Sequence, residues 1–370
     1  MKYQIRALAL AAGLWTTGTA AGLAAWQPPA GYPADYGTLL KAAEAEKSLL
    51  IYTNMEATQW EGAIQLLKER VPGIDVRLLE LNSGEIGARY AAETAAGMPT
   101  ADLLVTTDVA TWVELMQKDR IEPYVSSEAD IYPAWSKPAP GLYTIAADPM
   151  MFMWNKALLP ENLVPSSFAD LAAKVAANPA VFKNKLTSYN PTTPYGYNAA
   201  YAFVDRHGEK GWEWLKVVAP MTRPDGTGPM IEKVTAGEYV LAYFMGAGAA
   251  RLALKNPQRA ALLGLKPIAD GSPLVLRGAG IPKNAARKNA AKAMLDVLLS
   301  KPGQISLGLR ARTPVRPDVT SADVDGELTY ADVVKTLGEA NVIPVAFDPK
   351  MASNTAFDAF QAAYKKAAGK

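Results

Sequence analysis

The sequence predicts an α/β fold, on three observations. The chain has 370 residues, of which 49% are hydrophobic, and this is enough to bury cores in two domains. Short apolar runs alternate with amphipathic helical patterns from Leu40 onward. Each of the first three apolar runs ends in a small polar cluster that leads into a helical pattern, which is typical of the carboxyl ends of strands in open α/β sheets.

The composition excludes several classes of protein. The chain has no cysteine and one histidine, so it cannot form a disulfide framework, a thiol nucleophile, an iron–sulfur cluster or a multi-histidine metal site. We therefore expect neither a bound metal nor a cofactor. The formal net charge is +2, with no cluster of basic residues, and this argues against nucleic acid as a partner.

The amino terminus has the pattern of a secretory signal. Lys2 and Arg6 precede an apolar run at 7–15, and small residues follow. The predicted signal is residues 1–24, with Ala21 as a competing end. Without a cysteine near the cleavage site, the mature protein cannot be anchored as a lipoprotein, and we expect it to diffuse freely in a periplasm. The alternative is an uncleaved anchor, for which the apolar run is short.

The elements of the first half follow in order. A strand is predicted at Ser48–Tyr52, followed by a helix from Thr58 to Arg70. A second strand at Ile74–Leu81 precedes a helix over 82–96, and a third strand is predicted at Ala101–Val105. The loops after these strands carry polar groups and free helix N–H groups that suit a ligand. The candidates are Thr53, Asn54, Ser83, Gly84, Thr107 and Asp108. Alternatively, these side chains only cap the helices that follow.

The second half supplies three further candidate segments. The polar and aromatic loop Thr187–Tyr197 offers hydroxyl groups and rings to a small molecule, or packs on its own surface. The stretch Met221–Pro229 has an arginine suited to bidentate binding of a carboxylate or phosphate, unless that arginine forms a surface ion pair. The stretch Tyr239–Gly248 predicts a strand that enters a glycine-rich turn, or simply a buried core strand. The candidate residues are Thr192, Thr193, Tyr195, Tyr197, Arg223, Thr227 and Tyr243.

Enzyme signatures are weak in this sequence. Neither a Walker A motif nor a G-x-S-x-G elbow occurs. His207 precedes a glycine that resembles a helix C-cap, so we expect a structural role for it, as a cation at the end of a helix. An exported hydrolase that uses paired carboxylates, such as Glu56 and Asp108, is the alternative from another class of function.

Several motifs together resemble the solute-binding proteins of bacterial ABC importers, in the branch of ferric-iron, phosphonate and hexose-phosphate binders. Those of the first lobe are the segments 71–77, 82–85 and 96–105, and Met150–Leu158 resembles the crossing into the second lobe. The later motifs are the return strand Ala269–Arg277, the following helix Ala290–Gln304, and the turn Thr313–Arg316 where the last helices begin. The resemblance spans most of the mature chain.

This resemblance implies the type II two-lobe fold of periplasmic binding proteins, with a hinge of two crossing segments. The crossings are expected at Tyr143–Met151 and Ser272–Ile281. Lobe 1 would comprise residues 36–146 and 274–309, and lobe 2 residues 148–271 and 312–370. The implied function is capture of a small solute in the interlobe cleft by a monomer, which delivers it to a membrane permease and its ATPase.

The resemblance also bears on the ligand. Iron-binding members carry two adjacent tyrosines near the position of Tyr243, where this chain continues with Phe244. A small organic anion, such as a phosphonate, sugar phosphate or carboxylate, is therefore favoured over ferric iron, which stays as an alternative. Arg223 and the helix N-termini are the groups expected to hold that anion.

Overall fold

A computed structural model describes residues 26–369. The predicted secretory signal, residues 1–24, lies outside this range. Helices and strands alternate along most of the described chain, so the α/β prediction is confirmed. The strands are β1 (Ser48–Thr53), β2 (Asp75–Glu80), β3 (Leu103–Thr106), β4 (Leu142–Asn155), β5 (Leu186–Tyr189), β6 (Thr222–Asp225), β7 (Leu241–Gly246), β8 (Leu263–Pro267), β9 (Ser272–Gly280) and β10 (Val342–Pro344). The helices are α1 (Tyr36–Glu46), α2 (Glu61–Arg70), α3 (Ser83–Ala95), α4 (Val109–Gln117), α5 (Phe168–Ala177), α6 (Pro179–Phe182), α7 (Pro194–His207), α8 (Glu209–Val218), α9 (Thr227–Ala236), α10 (Ala247–Leu254), α11 (Pro257–Leu262), α12 (Lys288–Leu299), α13 (Lys301–Gly308), α14 (Tyr330–Leu337), α15 (Pro349–Ala352) and α16 (Asn354–Ala367).

The first half of the chain builds a parallel sheet. β1 lies between β2 and β3 and runs parallel to both. The antiparallel strand β9 extends this sheet beyond β3. β3 is buried along its whole length, and three of its four residues are correspondingly apolar. The carboxyl ends of β1, β2 and β3 therefore meet at one edge, as the sequence predicts.

The long strand β4 connects the two halves of the molecule. Its first part pairs antiparallel with β9, from Leu142 opposite Gly280 to Pro149 opposite Leu274. Its second part, from Met150 onward, pairs with β7 and β8 instead. The predicted hinge segment Tyr143–Met151 lies on β4, and the segment Ser272–Ile281 covers β9 and the residue after it.

A second parallel unit follows β4. β5 lies between β6 and β7 and is parallel to both. α5, α7 and α8 pack together beside this unit. Phe168, Phe203 and Phe244 form a buried aromatic cluster there, so this half of the molecule has an apolar core of its own.

The carboxyl-terminal segment returns along the connecting strands. The backbone N–H of Ala147 donates to the carbonyl of Thr313 at 3.0 Å, and β10 pairs parallel with β9. α16 then packs on α8 in the second half of the molecule. A third stretch of chain, in addition to β4 and β9, thus runs between the two halves.

Two boundaries differ from the sequence prediction. The single helix expected over 290–304 is two helices, α12 and α13, because Ser300 ends the first and its Oγ accepts a hydrogen bond from Gly303 N, with the imide of Pro302 between them. The last helices do not begin at 313–316 but at Tyr330, which follows a short turn at Ser321–Val324.

His207 ends α7 immediately before the C-cap Gly208, as predicted, and packs on Phe203 and Trp214. Burial lowers its pKa below the ordinary value and so disfavours the expected cation on the helix dipole. Its structural role agrees with its packing.

No helix within residues 26–369 combines the length and the apolar character that crossing a bilayer requires.

Candidate ligand-binding site

Asn54 joins the loops that follow the first three strands. Its amide nitrogen Nδ2 donates to Ser83 Oγ at 2.7 Å and to Thr107 Oγ1 at 3.0 Å. The two hydroxyl groups also hydrogen-bond each other at 2.9 Å. The oxygen Oδ1 of Asn54 accepts from the guanidinium of Arg277 on β9. The three polar clusters predicted from the sequence thus form one network that leads to a buried arginine.

Other candidates from these loops have local structural roles. Thr53 is fully buried, and its Oγ1 accepts from Met55 N at 3.0 Å and from Trp60 Nε1 at 3.3 Å. Asp108 caps α4, where its carboxylate accepts from Thr111 N at 2.9 Å. Gly84 lies exposed in the first turn of α3. For Thr53 and Asp108, the alternative of a local structural role describes the observed contacts.

Two arginines face the cleft between the two halves of the molecule. The Arg277 residue is only 6% exposed, and it bonds the side-chain and backbone oxygens of Asn54. Arg312 Nη2 donates to Gln59 Oε1 at 2.7 Å, whereas its buried Nε has no hydrogen-bond partner among residues 26–369. Burial, together with the like charge of Arg312, lowers the pKa of Arg277 to about 9. Within the described chain, neither guanidinium forms an ion pair with a carboxylate.

The carboxylate of Asp148, which also lines the cleft, accepts hydrogen bonds from other donors. Asp148 on β4 accepts a hydrogen bond from Tyr195 Oη at 2.5 Å and another from Gly248 N at 3.0 Å. Burial, followed by the charge of Asp148, raises the pKa of Tyr195 well above its ordinary value. The phenol therefore stays protonated and donates to Asp148, whose charge still favours the charged form of Arg277 but forms no ion pair with it within residues 26–369.

These groups line a cavity of about 320 Å³ between the two halves. Its residues come from the ends of β1 and β5, from the connecting strands, from the first turns of α7 and α9, from α10, and from the segment after α13. They are Asn54, Glu56, Gln59, Asp148, Tyr189, Tyr195, Thr227, Gly248, Ala249, Leu252, Arg277, Ala311 and Arg312. A neighbouring cavity of about 490 Å³ shares Tyr189, Tyr195 and Thr227 with it, and is also lined by Thr193.

The remaining predicted residues lie elsewhere. Tyr197 donates to the carbonyl of Met351 at 3.0 Å and lines, with Thr192 and Asp108, a separate cavity of about 170 Å³. Tyr243 is 1% exposed in the core beside Phe168, and its hydroxyl donates to Thr222 Oγ1 at 3.1 Å.

Arg223, the predicted anion ligand, is exposed and lines none of these three cavities. Its guanidinium donates to Asn184 Oδ1 and to the carbonyl of Thr222. It stands at the second position of the four-residue strand β6, whereas Pro224 and Asp225, at the carboxyl end of that strand, line the 490 Å³ cavity. The structure therefore brings Arg277 and Arg312, and not Arg223, to the cleft.

The geometry also bears on the hydrolase alternative. Glu56 lines the 320 Å³ cavity, whereas Asp108 lines the 170 Å³ cavity and is engaged by Thr111. Acid–base catalysis by this pair requires both carboxylates in one pocket, and Glu56 and Asp108 line different cavities. Residues 26–369 also contain no group of three or more His, Asp or Glu side chains placed to hold a metal ion.

Sequence reasoning missed Arg277, Arg312, Asp148, Tyr189 and Gln59. A signal existed for two of them, because Arg277 and Asp148 are charged residues within the otherwise apolar strands β9 and β4. A charged side chain in a fully buried strand needs a partner, which makes it a candidate for function. Arg312 has no comparable signal, since it lies in an irregular segment whose path the sequence does not determine.

Comparison with known proteins gives the family. The model of the bacterial extracellular solute-binding proteins matches residues 62–331. The chain belongs to this family. No curated protein matches it in sequence. The resemblance proposed from the sequence motifs is thus confirmed at the level of the family.

Solved structures share the fold. The substrate-binding protein of an ABC transporter from Agrobacterium tumefaciens has a TM-score of 0.74 at 19% identity, over 89% of this chain and 97% of that one. The ferric-binding protein of Campylobacter jejuni has 0.66 at 23%, over 86% and 99%. The periplasmic binding protein AfuA of Actinobacillus pleuropneumoniae, with fructose-6-phosphate bound, has 0.65 at 19%, over 87% and 99%. At these identities the likeness shows the fold, and the predicted two-lobe fold is confirmed.

Proposed function

We propose that this solute-binding protein captures a small organic anion in the cleft between its lobes and delivers it to the permease and ATPase of an ABC importer. In this proposal it acts as a monomer without a cofactor, in the periplasm, after cleavage of residues 1–24 and without a lipid anchor. The lobes would be residues 36–146 with 274–309 and residues 148–271 with 312–370. The observation that supports an anionic ligand is the pair Arg277 and Arg312, which line the cleft and form no ion pair with a carboxylate of residues 26–369.

The cost of burying a charge explains why this pair favours an anion. A buried ionised group is destabilising unless an opposite charge or several hydrogen bonds compensate it. Among residues 26–369, the side chain of Arg277 hydrogen-bonds only Asn54, and burial and the like charge of Arg312 outweigh the favourable charge of Asp148. A carboxylate, phosphate or phosphonate group between the two guanidinium groups would satisfy both, and arginine binds such groups in bidentate fashion.

The rest of the cavity suits the organic part of a ligand. Leu252 and Ala249 of α10 form an apolar wall of the cavity, and Leu252 is 54% exposed. Tyr189 and Tyr195 add aromatic surface, with ring centroids 4.8 Å apart. Pockets for small molecules combine such apolar area with a few placed polar groups.

The same two tyrosines favour ferric iron as the second candidate ligand, because phenolate oxygens are hard anionic ligands. Binding would require both phenols to lose their protons. Burial raises the pKa of each, and the Tyr195 hydroxyl already donates to Asp148. The arginine pair has no role in holding a cation, so the anion is the better supported ligand.

Titration calorimetry separates these functions. We expect one-to-one binding of at least one of methylphosphonate, glucose 6-phosphate and citrate, with the ligand recovered unchanged. Binding of ferric ion alone, with a visible tyrosinate-to-iron charge-transfer band, would assign the protein to iron instead. Conversion of the bound anion to a product, followed by phosphorus or proton NMR, would favour the hydrolase.

A further inference from the structure

The helix α10 has different partners on its two sides. Ala249 and Leu252 line the cavity that contains the arginine pair. Arg251 and Lys255 reach the loop before α14 instead, where both pair with Glu327. Arg251 Nε lies 3.0 Å from Glu327 Oε2, and Lys255 Nζ lies 2.8 Å from Glu327 Oε1. One helix therefore carries both a wall of the ligand cavity and an ion-pair cluster.

This ion-pair cluster is partly shielded from solvent. The side chain of Glu327 is only 11% exposed. Arg251 Nη2 also donates to the carbonyl of Gly326 at 2.9 Å, so the arginine holds the loop through two groups. Burial opposes ionisation of Glu327, but hydrogen bonds from Lys255 and Arg251 outweigh it and lower the pKa of this carboxyl. Because salt screens partly buried pairs less than exposed ones, the cluster keeps its attraction at physiological ionic strength.

The segment 314–330, which carries the carboxylate of this cluster, is fixed to lobe 1 although the proposed division counts it with lobe 2. Lys301 Nζ of α13 lies 3.7 Å from Asp323 Oδ1. Arg316 Nη1 donates to Glu128 Oε2 at 2.6 Å. In the proposed division α13 and Glu128 belong to lobe 1, and α10 belongs to lobe 2. The ion-pair cluster is therefore a contact between the two lobes.

A second contact joins α10 to the turn that carries Arg312. A Cβ atom added at Gly248 would meet the carbonyl oxygen of Ala311 at 2.7 Å, so the two backbones touch only because residue 248 is glycine. The turn is in turn fixed to lobe 1, since Arg310 Nη2 pairs with Glu61 of α2 at 2.6 Å. The position of α10 relative to lobe 1 thus sets the width of the cavity on this side.

We propose that Glu327, Arg251 and Lys255 form an interlobe latch that holds α10 in the position that completes the ligand cavity. None of the three lines that cavity, so they are positioning residues. Separation of the lobes about β4 and β9 would move α10 away from lobe 1 and break the ion pairs, so the latch favours the closed arrangement. The apparent affinity of a ligand falls with the fraction of protein in the binding-competent state. The latch goes beyond the proposed function, because it acts on closure whatever the ligand is.

Small-angle X-ray scattering of the ligand-free protein tests the latch without any ligand. We expect Glu327→Gln to enlarge the radius of gyration, because the neutral amide no longer holds Arg251 and Lys255. Glu114→Gln is the matched control, since Glu114 pairs with Lys118 inside the single helix α4, and it should keep the wild-type radius. An unchanged radius in Glu327→Gln would overturn the latch.

Calorimetry with methylphosphonate, glucose 6-phosphate and citrate gives a second measure. For each anion that the wild type binds, we expect Glu327→Gln to bind it about three- to tenfold more weakly, as for the loss of a partly buried ion-pair network. Glu327→Arg alone should weaken binding further. Its combination with Arg251→Glu should restore the affinity to within about threefold of wild type, since the exchanged charges attract again.

This exchange separates the latch from a merely structural role of Glu327, which an exchange of charges would not restore. Equal or tighter binding of these anions by Glu327→Gln would overturn the latch and leave the proposed function intact. A doubly exchanged protein that binds no better than Glu327→Arg would overturn it as well. If the wild type binds none of the three anions while Glu327→Gln still enlarges the radius of gyration, the latch stands and the proposed function is overturned.

Discussion

At the scale of single residues, two arginines illustrate what decides a binding role. Arg223 lies on the edge strand β6, is exposed, and bonds Asn184 at the surface. Arg277 lies on β9, between β3 and β4, and is buried beside the cleft. An exposed guanidinium is already solvated, so it gains little from a ligand, whereas a buried one without a counter-ion gains much.

We predict that Arg277→Met weakens binding of an anionic ligand by about 1.5 to 3 kcal/mol, the range for losing a charge-assisted hydrogen bond. The same change should raise the free energy of unfolding of the ligand-free protein, because methionine of similar shape replaces a buried unpaired charge. Calorimetry measures the first effect, and urea denaturation measures the second. Loss of stability together with loss of binding would mean that Arg277 has a structural role instead.

Arg223→Met is the control for this substitution, since it removes the same side chain from the surface. We expect its affinity and its stability to match the wild-type protein within about 0.5 kcal/mol. The sequence interpretation leads to the opposite expectation, namely that Arg223 binds the anion. The pair of variants therefore tests directly which arginine contacts the ligand.

At the scale of elements, the buried carboxylate of Asp296 on α12 ties distant segments of the chain together. It accepts hydrogen bonds from Ser126 Oγ at 2.5 Å, Tyr124 Oη at 2.6 Å and Tyr36 Oη at 2.9 Å. Tyr36 begins α1, and the other two donors lie on the segment before β4. Residues far apart in sequence are thus fixed to α12, which packs against α1 and α2.

We predict that Asp296→Asn destabilises the protein by about 2 to 4 kcal/mol, because an amide oxygen cannot accept three hydroxyl donors and its NH₂ group faces one of them. Asp119→Asn is the matched control: Asp119 pairs with Lys283 at the surface, and we expect a loss below about 1 kcal/mol. Urea denaturation of both variants at neutral pH measures the difference. Similar losses for the two variants would contradict the role of the Asp296 cluster.

The pH dependence of this effect has a definite sign. Burial raises the pKa of Asp296 above its ordinary value, so the native state binds this proton more tightly than the unfolded state does. The stability that protonation of Asp296 contributes is fully present below the pKa of this group in the unfolded state. It is lost as the pH rises through its pKa in the native state. The advantage of wild type over Asp296→Asn should therefore be larger in acid and should shrink as the pH rises.

At the scale of the whole molecule, the cleft lies between two packed units that are connected by β4, β9 and the segment beside Thr313. We expect the two units to move relative to each other about these connections, since hinge closure around a ligand is a common mode of domain motion. Arg277 and Asp148 lie on the connecting strands themselves. A ligand held between them and the loops of both lobes would favour the closed arrangement.

We predict that a saturating anion reduces the radius of gyration measured by small-angle X-ray scattering. A ligand shifts this equilibrium only if it binds the closed state more tightly than the open one. Arg277→Met at the same ligand concentration should scatter like the ligand-free wild type. Identical curves for the wild type with and without bound anion, under conditions where calorimetry shows saturation, would contradict closure.

Much of the fold could be predicted from the sequence. The strands before Thr53, Leu81 and Thr106 follow from short apolar runs, and the capping box of Asn82 and Glu85 marks the start of α3. The loops after these strands converge because carboxyl ends of parallel strands share an edge. The division of the carboxyl-terminal helices was less predictable, since Ser300 acts both as a C-cap and as an N-cap.

The sequence by itself determined the α/β class, the order of the first strands and helices, and the convergence of Asn54, Ser83 and Thr107, because each depends on local patterns and on the geometry of parallel strands. Only the tertiary structure decided that Arg277 and Arg312 face the cleft while Arg223 stays at the surface. The physical reason is that burial depends on which strands and segments come to lie beside a residue, and chain neighbours do not specify these partners. The chemistry of this site is set by which charges the fold takes out of water.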